Sequence, residues 1–165
     1  QSFVTAMRII NGDEKTRRWL RGIKEMGVTS YSGEFSVTNS VAEGEIGVGL
    51  ANHYYTLRLK QAKPDAPLEL AFTSDDAGSL INTSGGLVLS ASDQQETATN
   101  LIRHFHTRSV QQHLTKNGYE YPLVPGVEPA GNLPPISQLN PPDINLSKLS
   151  NLQPTLKLLR DTEVL

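Results

Sequence analysis

The sequence predicts an α/β fold, a mixed sheet flanked by helices, on three observations. Apolar residues recur at helical spacing in several segments, as Phe3, Val4, Met7 and Ile10 do at the start of the chain. Between such segments lie short apolar runs bounded by glycine or polar residues, with Ile46–Ala51 the clearest. The two patterns alternate, as they do when helices cover the faces of a sheet.

Taken in order, the first quarter reads as helix, turn, helix. Asn11 and Gly12 punctuate the first helix, and Asp13 is placed to cap the second with its carboxylate. Trp19, Leu20, Ile23 and Met26 share one face of that second helix, which stops at Gly27. Val28 to Tyr31 suits a short strand, and residues 36–43 a helix with Val37 and Val41 one turn apart. Gly44 ends it, and Ile46–Ala51 follows as a buried parallel strand. Residues 54–61 are predicted helix, Leu68 to Phe72 strand, and Ser74 to Ser79 a polar turn. Leu87 to Ser90 is a further strand; Ser92 and Asp93 then cap a helix through Leu101, Ile102 and Phe105. A helix over residues 110–116 ends at Asn117 and Gly118. Residues 121–142 are proline-rich irregular chain, and residues 144–165 supply short helical turns carrying Leu152, Leu156 and Leu159.

Composition excludes more than it assigns. A net charge of −2 with scattered lysines and arginines gives no basic field for nucleic acid. No apolar run approaches the length of a membrane span. Cysteine is absent, which is compatible with an exported protein. The chain starts at Gln1 inside an amphipathic helix, so the reading expects sequence upstream of it, and a signal peptide would not be visible. Neither a Gly-x-Ser-x-Gly elbow nor a His-Glu-x-x-His helix is present, so no hydrolase chemistry is indicated.

The informative stretch is Asn52-His53-Tyr54-Tyr55. On a continuing strand, adjacent tyrosines would point to opposite faces. At the start of a helix they leave the backbone about 100° apart and project toward one point. Two convergent phenols form a hard oxygen donor set, suited to a highly charged cation, with Fe(III) the first choice. The competing reading is a half-buried tyrosine pair with its hydroxyls in water.

The run Gly33 through Arg58, with Ile46-Gly47-Val48-Gly49-Leu50-Ala51-Asn52-His53-Tyr54-Tyr55 at its centre, resembles the periplasmic ferric-iron-binding proteins of ABC importers. So do Ser2–Arg8 and Trp19–Lys24 ahead of it, and Ala77–Gly86 and Glu120–Val127 after it. The resemblance implies a fragment of a two-lobe, transferrin-like protein with a periplasmic-binding-protein type II-like lobe. It implies that residues 1–80 form the C-terminal lobe with the tyrosine metal site. Residues 81–134 would be a crossover segment packing on an N-terminal lobe, and residues 135–165 a tail rejoining the C-terminal lobe. The middle segment would then expose Leu87, Leu89, Leu101 and Phe105, with self-association as one outcome.

The same resemblance implies a non-enzymatic solute-binding protein, periplasmic or anchored outside the cytoplasm, that captures Fe(III) and delivers it to a membrane permease. The alternative is an organic anion or sugar phosphate bound on the same fold. Tyr54 and Tyr55 are the expected metal ligands, with Asn52, Arg58 and Glu34 in anion-binding or supporting positions. Glu34 stands where the family carries an anion-contacting asparagine, which points to a ligand set without an anion. His53 is a further metal candidate that more naturally faces away. His104 and His106, two apart in a helical run, face different directions and suit solvent or interface roles.

Overall fold

A computed structural model describes all 165 residues, Gln1–Leu165. Seven α-helices form: α1 Ser2–Asn11, α2 Asp13–Glu25, α3 Glu34–Ala42, α4 His53–Ala62, α5 Gln95–Phe105, α6 Arg108–Gly118 and α7 Gln153–Asp161. Short 3₁₀ turns lie at Ala77–Ser79, Ile136–Gln138 and Leu146–Ser150. The expected mixed α/β sheet is not there. No residue joins a β-ladder, and Val28–Tyr31, Ile46–Ala51, Leu68–Phe72 and Leu87–Ser90 all run without strand pairing.

The reason is that a helix satisfies its backbone from within, whereas a strand needs a neighbour. None of the four segments lies beside another in hydrogen-bonding register. Their side chains show the consequence: Val48 is 83 % exposed, Leu50 63 %, Leu87 79 % and Leu89 67 %. Apolar runs of strand length thus act as extended connectors.

The chain divides into two compact units. The first comprises Gln1–Ser30, Ala71–Asn82 and Leu139–Leu165. Its helices α1, α2 and α7 enclose two apolar clusters. Ala6, Met7, Ala77 and Leu149 form one, and Leu20, Leu158 and Leu159 the other. Trp19 packs against both, with its ring edge-on to Phe3 at 5.8 Å. A buried polar seam joins α1 to α7: the Thr5 and Thr155 hydroxyls lie 2.8 Å apart, and Arg8 donates to Thr155.

Asp13 does not cap α2. Gly12, at φ 80°, occupies the capping position, and Asp13 is the first helical residue. The tight α1–α2 turn needs that positive φ, which glycine adopts without strain. It leaves the Asp13 carboxylate free to accept from Arg8 at 2.9 Å.

The second unit comprises Tyr31–Leu70 and Thr83–Gln138. Here α3 packs on α4 and α5 on α6. α3 starts two residues before the predicted 36–43, at Glu34. The helix expected at 110–116 extends over Arg108–Gly118. The proline-rich chain is held by polar groups of α6. Buried Gln111 donates to the Phe105 carbonyl and accepts from the Leu123 amide, and buried Thr115 accepts from the Ala130 amide. Ser92 closes a turn ahead of α5 by accepting from Gln94, while neither it nor Asp93 is the capping residue, which is Gln94.

Candidate metal centre

Helix α4 sets the site. Asn52 precedes it in an extended conformation, and His53, Tyr54 and Tyr55 fill its first turn. The helical rotation between neighbours brings the two phenol rings to one side, with centroids 4.6 Å apart and planes at 45°. The Asn52 side chain does not cap the helix; its Nδ2 donates to the Tyr54 hydroxyl at 3.2 Å. The Asn52 backbone N–H donates to Glu34 Oε2 at 2.6 Å. Glu34 reaches this point because it opens α3, which packs on α4.

Arg58, one turn beyond Tyr54, holds its guanidinium carbon 5.0 Å from the Tyr54 ring centre. A cation over an aromatic face is attracted by the ring's electron density. The same guanidinium donates to the Gly118 carbonyl at 3.3 Å. Arg58 thus touches the ring rather than the hydroxyl.

His53 turns the other way. Its Nε2 is 2.7 Å from the Tyr119 carbonyl, and a carbonyl only accepts, so Nε2 is the donor. Its ring lies 5.5 Å from that of Tyr54 and 5.3 Å from that of Tyr121. The Tyr121 hydroxyl is buried without a hydrogen-bond partner, and burial pushes its pKa up.

The electrostatics of Tyr54 describe the site's appetite. Burial raises its pKa first, then the adjacent Tyr55 phenol through charge and hydrogen bonding, then the carboxylates of Glu34 and Glu120. The Tyr54 phenol therefore keeps its proton at neutral pH unless a cation at its oxygen favours the phenolate form. No three His, Cys, Asp or Glu side chains gather as a metal-holding group in the chain.

The structure brings Tyr54, Tyr55, Asn52 and Glu34 together, sets Arg58 against the ring, and ties His53 to a carbonyl. Sequence reasoning missed Glu120 and the Tyr119 carbonyl. Both lie more than 60 residues downstream of the tyrosine pair, in a loop the spacing of motifs does not connect to it. The only signal was the run Glu120-Tyr121-Pro122 itself. His104 lies in the last turn of α5, with His106 just past its end, and both are exposed.

Residues 1–145 match the family model described as bacterial extracellular solute-binding protein. The chain is 31 % identical over 159 residues to the major ferric iron-binding protein of Neisseria meningitidis, covering 94 % of this chain and 48 % of that one. It is 28 % identical to the Fe(3+)-binding periplasmic protein of Serratia marcescens, covering 92 % and 46 %. Its backbone follows iron-bound HitA from Pseudomonas aeruginosa with a TM-score of 0.88, at 28 % identity, over 98 % of this chain and 53 % of that one. The chain spans about half the length of the curated relatives it matches. It belongs to the family of bacterial extracellular solute-binding proteins.

Proposed function

We propose that this protein captures Fe(III) outside the cytoplasm, in the periplasm, and hands it to an ABC-type permease in the membrane. The observation that carries the reading is the convergence of the Tyr54 and Tyr55 rings at the start of α4. Supporting it, relatives from two bacteria are named as ferric-iron binders, and a solved relative of closely similar backbone is iron-bound. Iron is cargo here, taken up and released, rather than a resident cofactor.

Two phenolates occupy two of the roughly six positions Fe(III) favours, so other oxygen or nitrogen donors complete its sphere. Binding displaces the phenol protons, about two per ion, because only the phenolate ligates. Affinity therefore falls as the solution is acidified. The organic-anion alternative fares worse on charge, since Glu34 and Glu120 both act on Tyr54 and would repel an anionic ligand.

Titrating the chain with ferric nitrilotriacetate at neutral pH should produce a visible tyrosinate-to-iron band. Tyr55→Phe should remove most of that band and weaken binding by at least about tenfold, the scale on which loss of a supporting group already acts. A colourless wild-type protein, or an unchanged Tyr55→Phe variant, would defeat the ferric reading.

A further inference from the structure

Beside the tyrosine pair lies a carboxylate whose two oxygens have different surroundings. Glu34 Oε2 accepts the Asn52 backbone N–H at 2.6 Å, a charge-assisted bond that fixes the side chain against the start of α4. Oε1 has no hydrogen-bond partner among the contacts of the chain. The residue is half-buried in the first turn of α3, where the helix's unpaired N–H groups favour negative charge. Asn52, which holds the carboxylate by its backbone, holds the Tyr54 hydroxyl by its side chain at 3.2 Å. One residue thus sets both oxygen groups, and the Glu34 charge is felt at the Tyr54 phenol.

We infer that Glu34 is a third protein oxygen donor, offering Oε1 to the cation that Tyr54 and Tyr55 hold. This rests on the ferric reading of the tyrosine site and deepens it. An all-oxygen set of two phenolates and one carboxylate carries three negative charges and balances a trivalent ion without an accompanying anion. It favours a hard trivalent ion over softer divalent ones. A surface salt-bridging role is the plain alternative for a glutamate, but Glu34 takes part in no ion pair, and Arg58 is committed to the Tyr54 ring and the Gly118 carbonyl.

The test is Glu34→Gln, whose amide oxygen can still accept the Asn52 N–H while the charge is lost. Wild-type chain and variant are titrated with ferric nitrilotriacetate in buffer free of carbonate and phosphate, and circular dichroism verifies that both are folded. The expected result is an affinity loss of about tenfold or more in the variant. The tyrosinate-to-iron band should also move to longer wavelength, because iron that loses an anionic donor accepts phenolate charge more readily. Added acetate should move the variant's band back and leave the wild type unchanged. An unshifted band overturns the inference, whether affinity is kept or lost, since lost affinity alone would mean that Glu34 only positions Asn52. A wild-type chain without a band sinks the ferric reading itself and the inference with it, an outcome distinct from a banded but Glu34-independent site.

Discussion

Asp76 shows how one side chain organises a turn. Its Oδ1 accepts from the Thr73 hydroxyl at 2.6 Å and from the Gly78 and Ser79 amides, while the Ser79 hydroxyl receives the Asp76 N–H. These donors, Thr73 foremost, hold its carboxyl below the ordinary range. A depressed folded pKa stabilises the fold above the unfolded carboxyl's pKa, and that contribution is lost as pH falls through the folded one. Asp76→Ala should therefore cost about 1 kcal/mol at neutral pH, the usual worth of such a cap, and less in strong acid. Melting curves at pH 7 and pH 2 check it; an equal loss at both would contradict the charged role. At the same scale, the tyrosine pair was legible in the sequence because helical rotation alone decides where neighbours point. Glu120 was not, since its approach to Tyr54 depends on how the loop after α6 returns to α4, which no local rule dictates.

Elements divide along the same line. α1, α2 and α3 fall within a few residues of their predicted spans because amphipathic spacing and Gly12, Gly27 and Gly44 are local signals. The sheet was misread because Ile46–Ala51 has a strand's composition and nothing in composition names a partner. Its contact with α3 explains one residue in it. A Cβ on Gly49 would collide with Val37 Cγ1 and meet Val41 Cγ2 at 3.1 Å. Both valines are stiff, branched side chains on a helix. Gly49→Ala should lower stability by about 1–3 kcal/mol, as overpacking does, measured by urea unfolding. A neutral result would mean that the segment moves freely off α3.

For the whole molecule, the two compact units differ in what holds them. The first encloses tryptophan, phenylalanine and leucine clusters, and the second relies on fewer buried aliphatic residues plus polar ties such as Gln111 and Thr115. Leu87, Leu89, Leu101 and Phe105 of the second unit remain exposed. The chain's one tryptophan, Trp19, belongs to the first unit, and all five tyrosines, Tyr31, Tyr54, Tyr55, Tyr119 and Tyr121, to the second. Nature has thereby labelled each half with its own chromophore. Indole emission should follow only the first half through denaturation, and phenol absorbance near 280–295 nm, corrected for the single indole, only the second. Asp76→Ala should displace the emission curve and spare the absorbance curve, while Gly49→Ala should do the reverse. Curves that shift together would reveal one cooperative body, read out without attaching a single dye.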